Sequence, residues 1–157
     1  MVLSMIAAVG KNGELGKKGE LIFHYKEDMD FFRQTTLGST VIMGRKTFDS
    51  LPKALPKRRN IVITRDLSFS AEGVETAHSV QEALAMLGDE KAFIIGGAAV
   101  YEQFLPYADE IYLTEIDASC EDADTFFPAF NKNAYNKEVI QKLVIDGVTL
   151  VFCRYYR

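Results

Sequence analysis

The residues best placed to do chemistry are one acid, two glycine-marked turns and a short basic run. Asp28 lies in LIFHYKEDMDFFRQTT (21–36), a turn-rich stretch that becomes a helix around Tyr25 or Lys26. On a helix it shares a face with Phe31 and Phe32, and two turns on with Thr36, while Glu27 and Asp30 fall on flanking positions. A carboxylate on an apolar stripe is costly to bury unless a cation or a set of donors meets it. First-turn acids also complement the positive end of the helix dipole, and on this stretch alone that reading suffices. Two other segments suit phosphate. In TVIMGRKTF a strand ends at Gly44, and Arg45 and Thr47 open a helix; in AFIIGGAAVYEQF the pair Gly96–Gly97 separates strand from helix. Helix starts present free N–H groups to anions. Neither junction is the dinucleotide fingerprint GxGxxG, but two of them point to a ligand with several phosphates.

The elements that must position these groups alternate between strand and helix. VLSMIAAV (2–9), TVIMG (40–44), NIVITR (60–65), AFII (92–95) and EIYLTEID (110–117) read as strands, the first ones apolar on both faces. Thr64 and Arg65 fall at a strand's C-terminal end, where ligands meet open α/β sheets. SVQEALAML (79–87) has helical period, a Ser cap and a terminal glycine at 88. GKNGELGKKGE (10–20) reads as a long, glycine-punctuated loop between a buried strand and the acid-bearing helix, which favours a lid over an idle excursion. Two alternating runs around Asp146–Gly147 form a terminal hairpin. The expected fold is α/β: a mixed, mostly parallel central sheet with helices on both faces and a C-terminal antiparallel hairpin, in one domain over 1–157.

Composition narrows the partners. The 157 residues are 48% apolar and 25% charged, an ordinary globular balance. A net charge of −4 gives no reason to expect nucleic acid or an anionic membrane. The basic residues Lys53, Lys57, Arg58 and Arg59 nevertheless cluster. Cys120 and Cys153 show no metal spacing, no metal is expected, and two free thiols suit a reducing compartment. The apolar opening is too short to span a bilayer, so a cytoplasmic protein is expected.

Together, IAAV, the glycine-rich loop, L-x-F before an acid-bearing helix, VIMGRKTF, LPKRRNIVIT, IIGGAAVYEQFLP and YLTEID resemble bacterial dihydrofolate reductase over nearly the whole chain. The resemblance is thinnest in 66–90 and 118–147. It implies hydride transfer from NADPH to 7,8-dihydrofolate, giving tetrahydrofolate for one-carbon metabolism, in a monomer that also takes antifolate-type small molecules. By resemblance, Asp28 meets the pterin's 2-amino group and N3–H with two parallel hydrogen bonds, supported by Thr114. Ile6 and Ile95 contribute backbone carbonyls. Ala8, Met29, Phe32, Leu51 and Leu55 form apolar walls, and Arg58 forks onto the glutamate tail.

For the cofactor, the resemblance assigns the pyrophosphate to Gly44, Arg45, Lys46 and Thr47 at one junction and to Gly96, Gly97, Ala98, Ala99 and Val100 at the other. Thr64 and Arg65, with Arg45, are expected to hold the 2′-phosphate. Ala8, Leu15, Gly16 and Ile95 border the nicotinamide, Tyr101 lies near both the nicotinamide and the pterin ring, and Gln103 and Thr125 complete the cofactor groove. In the family's geometry Asp28 is too far from pterin N5 to deliver the proton, which comes from water admitted past Leu21.

Three positions depart from the family pattern. Leu21-Ile22-Phe23 stands where Leu-Pro-Trp is usual, so Phe23 offers no N–H beside the pterin. Lys26 replaces a proline two residues before the acid, and Ala99 replaces an arginine after the glycine pair. Two alternatives therefore stand beside the main reading. One is a riboflavin-pathway NADPH reductase of the same fold, which needs no acid at position 28; the other is a non-catalytic pterin-binding protein. The short Asp146–Gly147 turn also leaves few groups to hold the lid, so the lid is expected to rest on Asp124 instead.

Overall fold

The first strand, β1 (Leu3–Val9), is the strand on which the sheet is centred. Leu3, Ser4, Met5 and Ile6 are all buried, so both of its faces are covered. The computed structural model describes residues 2–157. It continues through β2 (Glu14–Lys17), β3 (Glu20–Leu21), α1 (Lys26–Thr36), β4 (Thr40–Gly44), α2 (Arg45–Asp49), β5 (Arg59–Ile63) and β6 (Val74–Ala77). Then follow α3 (Val80–Leu87), β7 (Ala92–Gly96), α4 (Ala98–Phe104), β8 (Glu110–Ile116), β9 (Thr125–Phe126), β10 (Asn136–Ile145) and β11 (Val148–Tyr156).

Eight strands form the main sheet in the order β10-β11-β8-β1-β7-β4-β5-β6. Pairs from β8 to β6 are parallel, and β11 runs antiparallel to both β8 and β10. Side-chain alternation then divides the core. Ile42 faces α3 and α4 with Ala83, Leu87 and Phe104, whereas Val41 and Met43 face α1 with Phe31 and Phe32. The mixed, mostly parallel sheet with helices on both faces is thus as expected.

Local signals explain several boundaries. The Ser79 hydroxyl accepts the N–H of Glu82 at 3.0 Å, and the Glu82 carboxylate reaches back to the N–H of His78 at 2.9 Å, fixing the start of α3. Asp146 and Gly147 both have positive φ, 50° and 80°, as a two-residue hairpin turn of the favoured twist requires.

Two segments differ from the sequence reading. The glycine-rich loop contains the hairpin β2–β3, which pairs with β9 as a second, three-stranded sheet. The strand β6 lies at the end of the main sheet, where the sequence signal was thin: VETA has only a short alternation and no apolar run.

Candidate active site

Asp28 enters from the first turn of α1 and meets β8. The Thr114 hydroxyl, in a residue only 2% exposed, donates to Asp28 Oδ1 at 2.6 Å. Register explains the meeting: Thr114 pairs with Ala8 on one side and Phe152 on the other, at the point where α1 crosses the sheet. Phe23, Tyr25, Phe31 and Ala8 pack around Ile116, Leu150 and Phe152 to make an apolar wall beside that contact. Burial pushes the Asp28 carboxyl above its ordinary range, and the Thr114 hydrogen bond pulls only part of that back.

The neighbouring strand ends close the site. The Tyr101 hydroxyl donates to the carbonyl of Ile6 at 2.7 Å, so this carbonyl is already engaged within the protein. Burial, reinforced by the charge of Asp28, holds the Tyr101 phenol protonated. Phe32, Leu51, Leu55 and Ile95 cluster together on the α1 face of the sheet. Arg58 sits at the far end of this cluster, its Nη1 donating to Thr36 Oγ1 at 3.0 Å and its Nε to the carbonyl of Pro56 at 2.9 Å. Met29 and Leu21, by contrast, are 65% and 64% exposed.

The two glycine junctions lie side by side. A Cβ on Gly44 would come within 3.0 Å of Val100 Cγ2 and 4.0 Å of Gly97 N, and one on Gly97 would stand 3.6 Å from Thr47 Oγ1. Gly96 has φ of 124°, a conformation that side chains resist. The result is a backbone cradle between the starts of α2 and α4, and N–H groups at the starts of helices are natural donors to an anion. Its shape and donors suit a pyrophosphate. Lys46 and Ala99 are exposed at these two helix starts, Ala98 is half-buried, and Gln103 is exposed in the last turn of α4.

Arg45 stands at the edge of this cradle, stacked 4.3 Å over Phe69. It is already ion-paired, to Asp49 at 3.2 Å and Asp66 at 3.5 Å. Neither acid was singled out from the sequence, although the i,i+4 spacing of Arg45 and Asp49 is a legible signal. Asp66 is harder to anticipate, because its place depends on the loop after β5, where it also accepts the N–H and hydroxyl of Ser68. Thr64 lies one residue past β5, and Arg65 beyond it is exposed.

The lid is held on one side. The N–H of Lys18 donates to Asp124 Oδ2 at 2.9 Å, the N–H of Asp124 donates to the carbonyl of Gly16 at 3.1 Å, and Thr125 pairs with Gly16. Leu15, at the inner end of the lid, is buried.

Comparison with known proteins agrees with this geometry. The family model for dihydrofolate reductase matches residues 2–157. A type 3 dihydrofolate reductase from Salmonella typhimurium is 47% identical over 131 residues, which is 83% of this chain and 80% of that one. The dihydrofolate reductase of Neisseria meningitidis serogroup A is 42% identical over 159 residues, covering 99% and 98% of the two chains. Among solved structures, a dihydrofolate reductase from Enterococcus faecalis complexed with NADP(H) and RAB-propyl superposes with a TM-score of 0.91 at 33% identity, covering 99% of this chain and 96% of that one. This chain belongs to the dihydrofolate reductase family.

Proposed function

We propose that Asp28, held by Thr114, grips the pterin ring of 7,8-dihydrofolate while the chain reduces it to 5,6,7,8-tetrahydrofolate with NADPH. The observation that carries this reading is the 2.6 Å Thr114–Asp28 hydrogen bond inside an apolar wall. A carboxylate so placed has lone pairs left for two parallel donors, the pattern offered by a 2-amino group and an adjacent ring N–H. A riboflavin-pathway reductase has no use for that carboxylate.

The protein's share of the work is binding, orientation and electrostatics. Asp28 orients the ring. Ile6, Ala8, Phe32, Leu51, Leu55 and Ile95 exclude water around it, with Met29 at the rim. Arg58, beside the charge of Arg33, receives the glutamate tail's carboxylate. NADPH, when bound, supplies the hydride. Gly44 to Thr47 and Gly96 to Val100 hold its pyrophosphate, while Arg45, Thr64 and Arg65 hold the 2′-phosphate. Leu15, Gly16 and Tyr101 border its nicotinamide, and Gln103 and Thr125 line the outer groove. The proton reaches pterin N5 through water passing the exposed Leu21, since Asp28 is too far from N5 in the family's geometry; Phe23 has no N–H to anchor that water.

We read residues 1–157 as one reductase domain working as a cytoplasmic monomer and open to antifolate-type inhibitors. No helix among the described residues is long and apolar enough to cross a membrane. The decisive experiment is loss of NADPH absorbance on adding dihydrofolate, with the riboflavin-pathway substrate as control. Oxidation of NADPH only with the control substrate would overturn the assignment.

A further inference from the structure

Glu14 is only 1% exposed, although it lies in the lid among residues such as Lys11, Lys18 and Glu20 that face solvent. A buried carboxylate needs donors at both oxygens. Glu14 finds them in the backbone: Oε1 accepts the N–H of Asn12 at 2.7 Å, and Oε2 accepts the N–H of Cys120 at 2.7 Å. One side chain thereby ties the root of the lid to the loop that follows β8. Burial raises its pKa, hydrogen bonds from Cys120, from Glu14's own backbone and from Asn12 together lower it by more, and the carboxyl ends below its ordinary value.

The surrounding backbone reinforces the tie. Gly10 N–H donates to the Glu14 carbonyl at 3.1 Å, Lys11 N–H to Ala118 at 2.9 Å and Phe127 N–H to Gly13 at 2.9 Å. The packing leaves no slack. A Cβ on Gly10 would lie 2.7 Å from Glu14 Oε1, 2.8 Å from the Ala118 carbonyl and 2.9 Å from Phe23 Cζ. Glu14 is thus packed beside Phe23 and directly precedes the buried Leu15.

We propose that Glu14 is a positioning residue for the reduction: by clamping the lid root to Cys120, it fixes Leu15 and Phe23 as walls of the nicotinamide and pterin pocket. This rests on the proposed function, in which Leu15 borders the nicotinamide and the apolar wall containing Phe23 flanks the pterin gripped by Asp28. The clamp requires an acceptor at both positions. Glutamine keeps the shape but turns an NH2 group toward one of the two N–H donors, so Glu14→Gln breaks half of it.

The test compares wild type with Glu14→Gln and Glu14→Ala. In single-turnover experiments at saturating NADPH, the hydride-transfer rate should fall roughly ten- to a hundredfold, as expected when reacting groups are displaced by about an ångström. The Kd for dihydrofolate should stay within about twofold, because Asp28 and Arg58 are untouched. In the unliganded proteins, hydrogen exchange at Asn12, Leu15 and Cys120 should accelerate while exchange in β4 and β7 stays the same. A lower melting temperature with an unchanged hydride-transfer rate would show a merely structural role and overturn the proposal. If neither variant folds, wild-type exchange decides: the Asn12 and Cys120 amides must be protected, and exchange as fast as that of a freely exposed amide overturns the clamp. An inactive wild type would overturn the proposed function itself, whereas an active wild type with an unaffected Glu14→Gln removes only this inference.

Discussion

Thr114 and Asp28 lie 86 positions apart in the chain and share a 2.6 Å hydrogen bond. The hydroxyl stabilises the charged carboxylate while burial opposes it, and burial dominates. Asp28→Asn should leave the fold intact and cut dihydrofolate turnover at pH 7 by orders of magnitude. Activity should recover partly at low pH, where solvent protonates the substrate unaided. A near-wild-type rate at pH 7 would refute the role.

The same shift has a sign for stability. Asp28's folded pKa lies above its ordinary value, so ionisation disfavours the folded state. The penalty is present above the folded pKa and disappears as pH falls through it to the unfolded value. Asp28→Asn should therefore melt higher than wild type at pH 7, with the difference closing near pH 4, the ordinary range of a carboxylate. Melting curves across that range test it.

Thr114→Val keeps the shape and removes the donor. Hydrogen bonds to charged groups are worth about 1.5–3 kcal/mol, so dihydrofolate binding at pH 7 should weaken by roughly ten- to a hundredfold. The pH profile of kcat/KM should move upward as Asp28 loses its one stabilising donor. Titration of binding and a pH series check both parts, and an unmoved profile would separate Thr114 from the titration of Asp28.

Arg45 is held ready by Asp49, Asp66 and Phe69. Replacing Arg45 and Arg65 by Ala should weaken NADPH far more than NADH, because only NADPH carries the 2′-phosphate. Fluorescence titration with both cofactors measures the difference. Equal losses would show that the pair does not read that phosphate.

The lid rests on Asp124, whose carboxylate the Lys18 N–H and Thr125 hydroxyl hold below the usual range. A depressed pKa means that this support is complete above the ordinary carboxylate value and is lost as pH falls through the folded one. At neutral pH, crystals of the product complex with and without NADP⁺ should keep residues 16–18 bonded to Asp124. Residues 16–21 folded into the nicotinamide pocket and bonded to 145–148 would contradict this.

The sequence was informative wherever local chemistry decides structure. Apolar runs such as TVIMG and AFII gave strands within a residue or two of β4 and β7, Ser79 capped its helix, and Asp146–Gly147 turned its hairpin. The pairing of Asp28 with Thr114 followed from family resemblance, not from spacing. What escaped notice depends on distant partners. The lid's hairpin is glycine-rich and weak in strand propensity, and it gains order by pairing with Thr125 and Phe126. Glu14 looks solvated among lysines and glycines until Cys120 arrives beside it.

The central place of β1 has a consequence for synthesis. Its flanking partners are β7 and β8, and Ser4 bonds through its hydroxyl to Glu110, 106 positions later, at 2.6 Å. On the ribosome the first apolar strand must therefore wait for most of the polypeptide, some ~5–20 s at ordinary translation rates. During that interval LSMIAAV is an uncovered seven-residue segment with neither proline nor a charged side chain, a composition prone to pairing with other chains. The nascent strand β1 is thus uncovered until β7 and β8 have emerged, and chaperone demand should fall once they have.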